Sequence, residues 1–97
     1  MPFVIITTDK PGAGAVRAAL RAAHLDYLTA HQHLLLAAGG LLDDEDKAAG
    51  GLLVVDTDDR ATAERFLAND PFSLGGLFES TRVIGWRKTF FDRQRIK

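Results

Sequence analysis

Arg17, Arg21 and His24 follow one another at intervals of four and three in the run Arg17-Ala-Ala-Leu-Arg21-Ala-Ala-His24-Leu-Asp-Tyr27-Leu28. At about 100° per residue, that spacing stacks them with Leu28 into one stripe of a helix. Val16, Leu20, Ala23 and Tyr27 form an adjoining apolar face. An imidazole takes and returns a proton near neutral pH, and a guanidinium offers a fork of donors to a carboxylate, phosphate or enolate oxygen. A basic row beside a packed face fits acid–base chemistry on a small anion. In that reading His24 moves the proton, and Arg21, one turn away, holds the anion. Arg17 has the same donors, and surface pairing with Asp26 or with acidic residues further on is the plain alternative for both arginines. Tyr27 has packing as its ordinary role, with a hydroxyl lent to a cleft as the other.

The remaining composition narrows the chemistry. The chain has no cysteine, which removes disulfides, thiolate metal sites and thiol nucleophiles. His24, His31 and His33 lack the further ligands and the HxxxH spacing of a zinc site, so no metal is expected. Asp43-Asp-Glu-Asp46 lacks the alternation of a calcium loop. Gly12-x-Gly14 lacks the third glycine and parallel-sheet setting of a dinucleotide fingerprint, so no cofactor is expected. A net charge of −1 gives no electrostatic case for nucleic acid or an anionic membrane. No apolar run approaches the roughly 20 residues of a membrane span, and Met1-Pro-Phe-Val-Ile-Ile lacks the basic start of a signal peptide. The expected compartment is cytoplasmic. The charge is nevertheless uneven. Asp43 to Asp70 holds nine acidic residues against three basic ones, and Ser80 to Lys97 six basic against one acidic. Two solvated surfaces are one reading; a basic tail pairing with the acidic segment of a second subunit is the other.

A chain of 97 residues supports one core, so a single domain over 1–97 is expected, with 89–97 as a C-terminal tail. Phe3 to Thr8 is β-branched and aromatic and stops at Asp9-Lys-Pro11-Gly12, a strand ended by a turn. A helix follows to about His31, whose imidazole suits the helix C-terminus. Leu34 to Leu42 has a helical composition, but adjacent Gly39 and Gly40 cost about 2 kcal/mol in a helix; in a strand they mark a bulge or a close backbone approach. It is therefore the second strand, joined by the polar connector Asp43 to Gly50 to a third, Gly51 to Asp56. Thr57-Asp58-Asp59 caps a second helix over about Arg60 to Ala68, with Ala63, Phe66 and Leu67 inward. Asn69-Asp70-Pro71-Phe72 stops it, Ser73 to Gly76 makes a turn or a single helical turn, and Glu79 to Lys88 is the fourth strand.

The order βαββαβ is the ferredoxin-like pattern: an α+β fold with a four-stranded antiparallel sheet and two helices on one face. A sheet wet on one side alternates apolar and polar residues. Here Phe3 and Ile5 stand opposite Val4 and Ile6, and Leu52 and Val54 opposite Leu53 and Val55. Both faces read as buried, so a homodimer through the open sheet face is expected. RNA-binding domains share this order, but the third strand lacks their aromatic stacking platform.

Arg17-x-x-x-Arg21-x-x-His24-Leu-x-Tyr27-Leu, Gly39-Gly-Leu-Leu, Gly50-Gly-Leu-Leu-Val-Val, Asn69-Asp70-Pro71-Phe72 and Ile84-x-Trp86 together resemble the YciI-like, or YCII-related, proteins. Gly39-Gly40 stands where that family usually has Gly-Pro. The resemblance spans nearly the whole chain and implies a dimeric α+β barrel. It implies His24 and Asp70 as a catalytic pair in a cleft; Arg21, Arg17, Tyr27, Pro71 and Phe72 are the residues expected to contact a small-molecule substrate there. A few such proteins act on chlorinated or hydroxylated ring products. The expected function is proton transfer or elimination on a small, ring-derived anion; the alternative is a non-catalytic small-ligand-binding or accessory protein. From the residues alone, Asp70 before Pro71 also fits a helix cap, and His24 also fits a half-buried surface histidine.

Overall fold

In the computed structural model, which describes residues 1–96, four strands form one antiparallel sheet. Lys97, the end of the expected tail, lies outside the described residues. The strands are β1 (Phe3–Asp9), β2 (Leu35–Leu42), β3 (Ala48–Val55) and β4 (Phe78–Gly85), in the order β2-β3-β1-β4. Helix α1 (Gly14–Ala30) links β1 to β2, and α2 (Arg60–Ala68) with the short α3 (Pro71–Leu74) links β3 to β4. This is the ferredoxin-like arrangement expected from the sequence.

Register decides what each face holds. Ile5 pairs with Leu53 on one side and Val83 on the other, and Phe3 pairs with Val55 and Gly85. Alternate residues share a face, so Phe3, Ile5, Leu53, Val55 and Val83 point one way. Ala63, Phe66 and Leu67 of α2 cover them and complete the core, with Tyr27 and Leu28 of α1 at its margin. Val4, Ile6, Leu52, Val54 and Ile84 point to the other face, away from both helices. The Asp59 carboxylate accepts from the Ala61 N–H and caps α2.

The helix face that docks differs from the one expected. Val16 and Ala23 are exposed, and α1 has no fully buried residue. Its inward stripe is Arg17, Leu20, His24, Tyr27 and Leu28, the seam between the apolar face and the basic row. The helix turns this way because Arg17 and His24 find carboxylate partners, Asp9 and Asp70, on the elements beneath. A paired polar group can be drawn inward at little cost, whereas an unpaired one cannot. Leu20 meanwhile seats over Gly75 so closely that a Cβ there would lie 2.3 Å from its Cδ1.

Several boundaries also move. β3 begins at Ala48 rather than Gly51, so the connector shrinks to Asp43–Lys47. The Asp43 carboxylate accepts from the Glu45 and Lys47 N–H groups at 2.8 and 3.0 Å, and these bonds hold its carboxyl below the usual range. β4 ends at Gly85 rather than Lys88, where the Trp86 N–H turns to the Pro2 carbonyl. The expected tail contains a hairpin, β5 (Phe90–Phe91) and β6 (Gln94–Arg95), turned by Asp92 and Arg93, both at positive φ. Two central residues at positive φ favour Asn, Asp and Gly; an arginine there gives no local turn signal.

Candidate active site

A cleft of about 270 Å³ lies between α1 and the β2–β3 hairpin. Arg17, Arg21, His24, Leu25 and Leu28 form its helix wall, and Asp70, Phe72 and Phe78 contribute from α3 and β4. The sheet side explains why there is space at all. Gly40 pairs with Gly51, and Gly51 with Thr7, so one row across three strands has Thr7 as its sole side chain. A Cβ at Gly40 would meet only the Gly50 carbonyl oxygen, at 3.9 Å. No bulge falls at Gly39 and Gly40; the register shifts lie on either side of them. The close backbone approach is at Gly50 instead, where a Cβ would sit 2.2 Å from the Thr7 carbonyl oxygen.

His24 and Asp70, 46 residues apart in sequence, meet at this wall. His24 Nδ1 lies 2.8 Å from Asp70 Oδ1 and 3.0 Å from Oδ2. A carboxylate only accepts, so Nδ1 bears the proton and Nε2 is the ring nitrogen left for a ligand. The His24 ring stacks on Phe72, centroids 3.9 Å apart and 13° from parallel, which fixes its plane. Asp70 is wholly buried, and its Oδ1 also accepts from the Phe72 N–H at 3.0 Å. It is the N-cap of α3, with Pro71 at the first helical position. The two roles open from the sequence, cap and histidine partner, therefore coexist in one carboxylate. Capping holds Asp70 still, and a fixed carboxylate orients an imidazole better than a mobile one.

The other predicted residues divide. The Arg17 guanidinium donates to Asp9 at 2.7 and 3.1 Å and to the Gly50 carbonyl at 3.0 Å, and lies 4.8 Å from the Phe72 ring centroid. It faces the cleft with its charge already matched, by Asp9 rather than by Asp26 or the acidic segment. Arg21 also lines the cleft and makes no hydrogen bond or ion pair among the described residues. Phe72 lines it as well; Pro71 stands outside, serving α3. Tyr27 turns away, its hydroxyl donating to the Phe66 carbonyl at 2.9 Å. Among the described residues no group of three or more His, Cys, Asp or Glu side chains is placed to hold a metal ion, and no helix is long and apolar enough to cross a membrane.

Burial, and then the charge of Asp70, push the Tyr27 phenol above its ordinary value of 10.0. A raised folded value favours the neutral phenol in the fold. Its contribution to stability is therefore whole below pH 10 and lost as pH rises through the raised value. Tyr27 is the chain's single tyrosine. Alkaline titration followed by phenolate absorbance should place its midpoint above 10, returning toward the ordinary value in denaturant.

Thr7 is the residue that sequence reasoning missed. It is 3 % exposed, and its Oγ1 is buried without a hydrogen-bond partner among the described residues. The available signal was parity: Thr7 follows the inward apolar residues Phe3 and Ile5 at the strand's period of two. Asp9, next in that series, was read only as part of a turn.

The fold is that of a small α+β protein with a four-stranded antiparallel sheet, and comparison with known proteins gives its family. The YCII-related domain matches residues 1–87, and the chain belongs to that family. It is similar to 5-chloro-2-hydroxyhydroquinone dehydrochlorinase (TftG) from Burkholderia phenoliruptrix AC1100, solved in complex with 2,5-dihydroxybenzoquinone. The identity is 34% over 90% of this chain and 94% of that one, with a TM-score of 0.82. A protein assigned as an antibiotic biosynthesis monooxygenase from Bacteriodes thetaiotaomicron VPI-5482 shares the fold at 13% identity, covering 100% of this chain and 95% of that one, TM-score 0.61. An antibiotic biosynthesis monooxygenase does so at 18%, covering 91% and 100%, TM-score 0.54. No curated protein matches the chain.

Proposed function

We propose that this protein is an acid–base enzyme that eliminates a small anion from a hydroxylated ring. The observation that carries this reading is His24, held through Nδ1 by the buried, capped Asp70, with Nε2 left for a ligand at the wall of a small cleft. The volume lies below the roughly 300–1,000 Å³ of sites for drug-sized ligands, which suits a single substituted ring. The similarity to a dehydrochlorinase solved with a dihydroxybenzoquinone supports the same substrate class.

In this reading His24 Nε2 takes the proton of a ring hydroxyl. The freed electron pair makes a C=O, and the adjacent ring carbon, bearing the leaving group, receives the proton back from the imidazolium. Loss of the proton of a second ring hydroxyl, para to the first, to water then drives the π electrons toward that carbon, and the leaving group departs with its bonding pair. The sum is loss of HX and formation of a quinone. Asp70 stabilises the imidazolium in each transfer. Arg21, with no partner among the described residues, receives the phenolate or departing anion, while Arg17 shapes the wall through Asp9 and Gly50. The test is chloride release from a chlorinated hydroxyhydroquinone. Binding without turnover would leave a ligand-binding protein, and neither would end the reading.

The open face supports a homodimer as the working form. Val4, Ile6, Leu52, Val54 and Ile84 point away from both helices. Apolar sheet faces are buried on folding or on association. Sedimentation at micromolar concentration should give about twice the chain mass of 10.6 kDa. A species at that mass would refute the dimer.

A further inference from the structure

We propose that the Thr7 hydroxyl anchors the ligand, giving a hydrogen bond to a second ring oxygen while His24 meets the first. The inference rests on the ring-substrate reading above and makes it more specific: the substrate needs two oxygens, one for each group. Thr7 is 3 % exposed, its Oγ1 has no partner among the described residues, and it lines the cleft. Its direction follows from its neighbours. A Cβ on Gly51, opposite it on β3, would lie 3.3 Å from Thr7 Oγ1, so the hydroxyl leans over a strand that has no side chain there. Gly40, next in the row, offers none either. The hydroxyl is thus turned over the glycine floor and not into the core.

A purely structural role would be served better by valine, which has the same branched shape and no hydroxyl to desolvate. The native residue keeps a polar atom, unpartnered among the described residues, in the lining of the cleft. Buried polar groups lacking a partner are rare in native proteins and call for an explanation. A site that hydrogen-bonds a ligand oxygen also discriminates sharply against analogues without it. Thr7 would therefore select doubly oxygenated rings.

The experiment compares wild type, Thr7→Val and Thr7→Ser, with 2,5-dihydroxybenzoquinone as the probe in calorimetry and thermal melts alongside. Thr7→Val should weaken binding about tenfold with an unchanged or higher Tm, and Thr7→Ser, which restores the hydroxyl, should bind within about threefold of wild type. Equal binding by Thr7→Val and wild type would overturn the anchor and leave the ring reading standing. A wild type that fails to bind the probe at millimolar concentration would end both. A Tm lowered by more than about 5 °C in Thr7→Val would show a structural hydroxyl and overturn the anchor as well.

Discussion

His24→Asn is expected to lower kcat/KM toward a hydroxylated ring substrate by about 10²–10⁴-fold, the usual contribution of a positioned acid–base group, with Tm within about 3 °C of wild type. Asparagine is chosen for its geometry. Its side-chain amide nitrogen takes the place of Nδ1 and can still donate to Asp70, but nothing replaces Nε2. The variant thus separates the proton carrier from the histidine that Asp70 holds. His24→Ala should lose as much activity and more stability, because the carboxylate, wholly buried and 2.8 Å from Nδ1 in the native protein, is left with the Phe72 N–H alone. Chloride release and a thermal melt on the two variants make the comparison. Full activity in His24→Asn would remove His24 from the chemistry.

Asp70 should produce the larger stability effect of the pair, because its carboxylate both caps α3 and holds His24. Asp70→Ala removes the α3 cap, leaves the Phe72 N–H and the His24 Nδ1–H unpaired, and opens a cavity at a fully buried position. Losing a cap costs about 1 kcal/mol, and each buried donor without a partner costs about 1–3 kcal/mol. A loss of about 2–4 kcal/mol is expected, which for a domain of this size lowers Tm by about 10–25 °C. Asp70→Asn keeps the shape and the cap, since its carbonyl oxygen still accepts from the Phe72 N–H. The amide carries no charge to stabilise the imidazolium, and its NH₂, in the place of Oδ2 3.0 Å from Nδ1, opposes the Nδ1–H and favours the tautomer with the proton on Nε2, the atom the reaction needs free. Activity should fall about as far as in His24→Asn while most of the stability remains. Denaturant melts and turnover on the same preparations check both halves. A fully active Asp70→Asn would make the carboxylate a cap and nothing more.

The element order was legible because each element has a local cause. A β-branched and aromatic run marks β1, a short apolar run marks β3, alanine marks α1, and Asp59 and Asp70 stand as caps before their helices. The double apolar pattern of Val4 and Ile6 against Phe3 and Ile5 likewise needs no coordinates. His24 and Asp70 were legible through the family's motif, since nothing local joins residues 46 positions apart.

What the tertiary structure alone decided is how the pieces face each other. Periodicity placed Val16 and Ala23 inward, yet α1 docks through Arg17 and His24, because Asp9 and Asp70 lie beneath them. A helical wheel counts the polarity of a residue; it cannot see a partner brought from another strand. The row Thr7, Gly51 and Gly40 exists only once three strands are in register, and with it come the cleft and the unpaired hydroxyl. The sequence determines the fold and, with its motif, the histidine proposed to move a proton and the carboxylate that holds it. Strand register and helix rotation, both set by contacts between distant residues, decide the space in which they would act.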